Sequence, residues 1–239
     1  MNTWFQFKQF TIHQEKCAMK VCTDACLFGA WVARKLEENK IKAFNILDIG
    51  CGTGLLSLMV AQKCQAQIDA VEIEKDAFEQ TKENINLSKW TSRINIHYNS
   101  VTNFRSSKKY ELIICNPPFY ENQLKSKNHQ RNQSMHATTL SFLELAIAVK
   151  YNLAINGFAA ILIPYTSVKK FEEIFLAQQL FIVEKTNFAH SPAHTFFRCM
   201  MLISNFKNEL FENSFSIKNI DKKYSQDFNE LLKDYYLDI

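Results

Sequence analysis

Asn116-Pro117-Pro118-Phe119 directly follows the apolar run 112–115. Two successive prolines fix the backbone, so the Asn116 amide oxygen and the Pro117 carbonyl can be held toward one point. Both are hydrogen-bond acceptors. A planar exocyclic amine is a poor nucleophile because its lone pair is delocalised into its ring. Two converging acceptors that hold its hydrogens while the nitrogen pyramidalises lower that barrier. Phe119 and Tyr120 add ring faces that can stack on a base swung out of its nucleic-acid context. A strong general base is not needed, because an alkylated amine becomes acidic and loses its proton late. The plain alternative is a rigid turn with no chemistry, so the weight falls on what lies upstream.

Upstream, Asp48-Ile49-Gly50-Cys51-Gly52-Thr53-Gly54 ends one apolar run and opens a helical pattern. Gly50, Gly52 and Gly54 stand where a backbone must approach a ligand closely. The glycines alone do not separate a dinucleotide from S-adenosylmethionine. Asp48 does: an acid just before the turn suits a cofactor with a cationic amino group and a sulfonium, and repels a pyrophosphate. Glu72 ends the next apolar run, about 20 residues on, where a carboxylate accepts hydrogen bonds from ribose hydroxyls. The alternative for Glu72 or Glu74 is an acidic helix cap.

These residues converge only if a parallel sheet carries them on the same strand ends. Apolar runs predict strands at 45–49, 67–72, 94–98, 111–115 and 158–163, and the intervening patterns predict helices at 55–63, 75–88, 141–153 and 168–179. The class is α/β. In the helix from Lys75, residues Ala77, Phe78, Ile85 and Leu87 make one apolar stripe among charged positions. After residue 179 the rhythm changes, since 181–188 and 195–204 read as strands with no room for a crossover helix; that pair is expected to be antiparallel. Residues 4–13 alternate aromatic and polar side chains and suggest an added hairpin. We expect a segment 1–30 covering the cofactor, a main domain at 31–205, and an appendage at 206–239 with one helical pattern around Phe228, Leu231 and Leu232.

At 239 residues and 47% hydrophobic content, one core suffices. No apolar run is long enough to span a bilayer and residues 1–10 carry no export signal, so a cytoplasmic protein without membrane association is expected. The seven cysteines form no C-x-x-C pair and read as free thiols. His190 and His194 have helical zinc spacing, but Pro192 between them opposes a helix; no metal is expected. A net charge of +4 permits a nucleic-acid partner without requiring one. A monomer is favoured.

With both motifs placed, the chain resembles a class I amino-methyltransferase of the N6-adenine type. Residues 7–14 (Phe-Lys-Gln-Phe-Thr-Ile-His-Gln) and 18–24 (Ala-Met-Lys-Val-Cys-Thr-Asp) sharpen this, since they resemble the opening of the bacterial tRNA1(Val) (adenine-N6)-methyltransferase family, a likeness covering nearly the whole chain. The resemblance implies a Rossmann-like, seven-stranded, mostly parallel sheet with an antiparallel last strand, helices on both faces and an N-terminal extension. It implies S-adenosylmethionine as cofactor, and as substrate the adenine immediately 3′ of the anticodon in valine tRNA. Lys20, Thr23 and Asp24 would then lie beside the methionine end of the cofactor; by themselves they read as a cap on a helix at 25–35. Ser100, after the third strand, stands where such enzymes often place an acid against the cofactor adenine. Cys22 and Ala25 replace glycines common in relatives, and Met135 a basic residue. Lys125, Lys127 and Arg131 make a basic stretch after Phe119 that is placed to grip phosphates beside a flipped base; as a bare charge run it is a solvated loop. His136 and Arg198 are further candidates.

The same Asn-Pro-Pro-aromatic chemistry serves a guanine N2 or a protein glutamine amide, and the motif does not separate the three. A nicotinamide oxidoreductase would use the glycine turn but neither Asp48 nor Asn116. A non-catalytic RNA-binding remnant would have no use for an intact 116–119.

Overall fold

The computed structural model describes residues 2–118 and 140–238. Its centre is an eight-stranded sheet in the order β10-β8-β9-β7-β6-β3-β4-β5. The strands are β3 (Asn45–Ile49), β4 (Gln67–Glu72), β5 (Ile94–Tyr98), β6 (Tyr110–Cys115), β7 (Leu153–Pro164), β8 (Phe181–Ala189), β9 (Arg198–Ser204) and β10 (Phe211–Ser216). Only β9 runs against its neighbours, β7 and β8. A separate antiparallel pair, β1 (Trp4–Gln6) and β2 (Thr11–His13), forms the N-terminal hairpin.

Side chains alternate across a strand, and both faces here are covered, which is why the central strands read as unbroken apolar runs. Ile46, Ile68, Leu112, Ile114, Ala160 and Leu162 point to one core. That core is closed by α1 (Thr23–Glu37), α2 (Leu55–Ala61) and Ile85 of α3 (Lys75–Asn86). Leu47, Ile49, Ile113, Ala159, Ile161 and Ile163 point to the other core, against α4 (Phe142–Asn152) and α5 (Val168–Ala177).

Two expectations need correction. The sheet has eight strands rather than seven: Phe211–Ser216 pairs in parallel with β8 as an edge strand. Its residues are mostly exposed, so no apolar pattern announces it. The same C-terminal segment adds α6 (Gln226–Leu232), whose Phe228 and Leu232 are fully buried in the first core, and Tyr235, whose hydroxyl donates to the Met59 carbonyl at 3.0 Å. Within this segment Ile217, Phe228, Leu232 and Tyr235 thus join the first core. The second correction concerns α3. Its buried face is Gln80, Thr81, Asn84 and Ile85, whereas Leu87 of the expected apolar stripe is 72% exposed.

Candidate active site

The chain passes from β3 out to β4 and β5, then returns to lay β6 on the other side of β3. That reversal leaves a crevice at the carboxyl ends of β3 and β6, where open α/β sheets hold ligands. Register sets the depth: Ile49 lies level with Cys115 and Val71, and Glu72 with Tyr98. The loops after all four strands therefore open on one cavity of about 430 Å³, within the roughly 300–1,000 Å³ typical of small-molecule sites.

Gly50, Gly52, Glu72, Ser100, Asn116, Pro117 and Pro118 line it together. Gly50 and Gly52 adopt φ of 68° and 60°, the left-handed region that disfavours side chains. A Cβ on either would meet no atom of the described residues within 4 Å, so these backbones are open to whatever fills the cavity. Gly50 and Cys51 N–H donate to the Val71 carbonyl at 2.9 and 3.2 Å, which folds the loop over β4. The Glu72 carboxylate accepts from the N–H of Gly52 (2.9 Å), Ile73 (2.8 Å) and Glu74 (2.9 Å). Its position is thereby fixed, and one of its roughly four lone-pair sites remains for a ligand. Ser100 Oγ is hydrogen-bonded to Thr102 Oγ1 at 2.8 Å. Asn116 Oδ1 is buried and has no partner among the described residues, an acceptor held at a cavity wall by the two prolines that follow it.

Five expected cofactor residues, Asp48, Gly54, Lys20, Thr23 and Asp24, are not in the cavity lining. Asp48 is fully buried beneath the loop and is not part of the lining. One of its oxygens accepts from Ser57 Oγ at 2.6 Å, tying β3 to α2. Burial pushes this carboxyl up to about 7 against the lowering effect of that hydroxyl. The acidity that the cavity does present comes from Glu72, Glu74, Asp76 and Glu144, opposed by Lys16. Gly54, at φ 79°, faces protein: a Cβ there would lie 3.0 Å from Thr81 Cγ2. Lys20 donates to the Gln14 carbonyl. Asp24 accepts from Arg198 Nε at 2.8 Å, joining α1 to the start of β9. Neither these two nor Thr23 lines the cavity, because the segment turns back at Gln14, whose side chain accepts from Val21 N–H at 2.8 Å. Residues 16–19, just before them, do line it. Phe119, Tyr120, Lys125, Lys127, Arg131, Met135 and His136 lie outside the described residues.

A polar seam on α3 holds the walls in place. Asn84 Nδ2 donates to the carbonyls of His13 (2.8 Å) and Thr53 (2.9 Å), and its Oδ1 accepts from His13 N–H (2.9 Å). Gln80 Oε1 accepts from Lys16 N–H at 3.1 Å, and Thr81 Oγ1 donates to the Gly52 carbonyl at 2.5 Å. Read as letters these three are surface residues, and the sequence offered no sign of them. Glu144 did carry a signal: Ser141-x-x-Glu144 is a capping-box pattern, and both reciprocal bonds are present at the start of α4. His190 and His194 rings stand 6.2 Å apart, and among the described residues no three His, Cys, Asp or Glu groups converge as a metal site would need. No helix among them is long and apolar enough to cross a membrane.

An acid-lined cavity with two side-chain-free glycines in its floor fits a cofactor carrying positive charge, and on this sheet it makes the protein a class I S-adenosylmethionine-dependent methyltransferase. Solved structures share the fold: a predicted O-methyltransferase of Agrobacterium tumefaciens matches with TM-score 0.65 at 16% identity, covering 90% of this chain and 100% of that one. An S-adenosylmethionine-dependent methyltransferase from Clostridium acetobutylicum matches with TM-score 0.52 at 15% identity, covering 74% and 90%. A family model described as "Methyltransferase small domain" matches residues 29–144, spanning the glycine loop and 116–119. Full-length relatives are closer. The chain is 40% identical over 241 residues to the tRNA1(Val) (adenine(37)-N6)-methyltransferase of Dyadobacter fermentans, covering 99% of this chain and 98% of that protein. It is 37% identical over 234 residues to the protein of the same name from Pseudoalteromonas translucida, covering 98% of each. The chain belongs to the tRNA1(Val) (adenine(37)-N6)-methyltransferase family.

Proposed function

We propose that this enzyme transfers a methyl group from S-adenosylmethionine to N6 of adenine 37, the base 3′ of the anticodon, in valine tRNA. The observation that carries the reading is the buried Asn116 Oδ1, without a partner among the described residues, on the wall that also presents Gly50, Gly52 and Glu72. Gly50, Gly52, Glu72 and Ser100 are the residues to hold the cofactor. Bound S-adenosylmethionine supplies a methyl carbon on a sulfonium, whose C–S electron pair leaves with the thioether as the amine nitrogen bonds that carbon.

The chain's own groups do the rest. Asn116 Oδ1 and the Pro117 carbonyl accept the two N–H bonds of the adenine amine, turning its lone pair out of the ring plane and toward the methyl. Glu72, Glu74 and Asp76 favour the cationic reactant in the ground state. The surplus proton of the methylated amine passes to solvent. Phe119 and Tyr120 are assigned, from their place in the sequence, to stacking on the base, and Lys125, Lys127 and Arg131 to its flanking phosphates.

Incubation with labelled S-adenosylmethionine and unmodified valine tRNA, followed by digestion and mass spectrometry of the nucleosides, tests this. N6-methyladenosine is the expected product. Methylguanosine, or label on protein alone, would refute the adenine assignment.

A further inference from the structure

The carboxyl ends of β7, β8 and β10 share a rim with the cavity, because all three run parallel to β6. Along that rim the fold places aromatic and then cationic groups. After β7, Tyr165 is 40% exposed and packs edge-on to Phe196 at 5.4 Å. After β8, exposed His190 stacks on Phe197 at 4.0 Å, and His194 Nδ1 is hydrogen-bonded to Ser191 Oγ at 2.7 Å. After β10 comes a turn carrying Lys218, Lys222 and Lys223, all exposed.

This turn is braced. Ile217 N–H donates to the Ala189 carbonyl at 2.9 Å and Lys218 N–H to the His190 carbonyl at 3.0 Å, fastening it to the β8–β9 loop. Asn219 N–H donates to the Lys223 carbonyl at 2.8 Å, and Tyr224 stacks on buried Phe228 at 4.1 Å. The lysines therefore project from a fixed backbone. Asp221 is the one acid among them and Asp227 stands at the start of α6, yet among the described residues no carboxylate pairs with Lys218, Lys222 or Lys223. Lys16, Lys35, Lys63, Lys108 and Lys185, by contrast, all carry ion pairs.

Adjacent strands lie about 4.8 Å apart, so β10, four strands from β6, sets the turn roughly 20 Å from Asn116. At about 3.4 Å of helix axis per phosphate of one strand, that is the span of about six successive phosphates. We propose that this rim is a second RNA-contact surface, on which Lys218, Lys222 and Lys223 meet backbone phosphates of the tRNA arm beyond the target base while Tyr165 and the β8–β9 loop cover the strand between. The proposal rests on the tRNA reading above.

The test compares K218Q/K222Q/K223Q with a control, K42Q/K89Q/K207Q, that removes the same charge near the strands' opposite ends. Each is assayed with unmodified valine tRNA across a salt series. In the test variant KM for tRNA should rise at least about tenfold at 150 mM salt, and the slope of log affinity against log salt should fall by about 3. Its kcat, S-adenosylmethionine affinity and melting temperature should match wild type, as should every property of the control. Equal effects in both variants, no effect in either, or a parallel loss of S-adenosylmethionine affinity would overturn the proposal. Wild-type enzyme that methylates no tRNA would instead overturn the reading on which it rests.

Discussion

Gly52 and Gly54 adopt similar left-handed backbones, 60° and 79°, yet replacing them with alanine should do opposite things. The conformation alone costs an alanine about 1–2 kcal/mol at either site. At Gly52 the new Cβ meets no atom of the described residues within 4 Å, so the stability loss should end there, a fall in Tm of about 2–8 °C for a chain of this size. That methyl instead occupies space at the cavity wall, and S-adenosylmethionine affinity should fall at least about tenfold, or 1.4 kcal/mol. At Gly54 the Cβ arrives 3.0 Å from Thr81 Cγ2. Thr81 is fully buried and its hydroxyl holds the Gly52 carbonyl, so it cannot swing aside without losing that bond. Overpacking of this kind adds about 1–3 kcal/mol, for a total near 2–5 kcal/mol. Cofactor affinity should stay within about threefold of wild type, a difference below about 0.7 kcal/mol. Thermal denaturation and isothermal titration with S-adenosylmethionine measure both quantities on both variants. Gly52→Ala binding the cofactor like wild type would refute the assignment of the cavity.

Three further outcomes are expected. Asn84→Ala strips partners from His13 N–H, His13 C=O and Thr53 C=O, and should cost about 3 kcal/mol while raising KM for S-adenosylmethionine more than it lowers kcat; an unchanged KM would remove the seam's role in shaping the cavity. Asp48 and Asp69 should give stability–pH profiles of opposite sign. Burial raises Asp48 to about 7, so the folded state binds its proton more tightly than the unfolded chain, and stability falls as pH rises from the ordinary carboxylate range to 7; Asp48→Asn abolishes that fall, and urea titrations that still show it would refute the account. Burial would raise Asp69 too, but hydrogen bonds from His97, Lys108 and Tyr110 outweigh it and hold the carboxyl well below the usual range. Its stabilisation is complete above about pH 4 and lost as pH falls toward the folded value, so Asp69→Asn should cost about 2–3 kcal/mol at neutral pH and progressively less in acid.

What the sequence reveals depends on how strongly one local environment dictates each residue type. The central parallel strands β3, β4, β6 and β7 are legible because burial on both faces demands largely apolar runs, the edge strand β5 because Ile94, Ile96 and Tyr98 alternate with polar residues, and the cavity walls at Gly50, Gly52, Glu72 and Asn116 because they sit where strands end. β10 escaped because an exposed edge strand tolerates a segment such as Phe-Glu-Asn-Ser-Phe-Ser. The seam of Gln80, Thr81 and Asn84 escaped because polar side chains facing inward look, letter by letter, like polar side chains facing water; only the hairpin and glycine loop packed over them make them internal. Asp48 misled for a related reason. Its sequence neighbours Ile49 and Gly50 line the cavity, but strand alternation turns its side chain to the face covered by α2, where it is buried against Ser57.

The central claim is that Asn116 presents an acceptor to the amine of adenine 37. It is tested most directly by the single-turnover rate of methyl transfer to valine tRNA by wild type and Asn116→Ala, with a transcript carrying guanine at position 37 as the second substrate. The account predicts a loss of at least about 100-fold in the variant, or 2.7 kcal/mol in the transition state, with S-adenosylmethionine and tRNA affinities retained, and no product from the guanine transcript. Transfer by Asn116→Ala at the wild-type rate, or undiminished labelling of the guanine transcript, would contradict it.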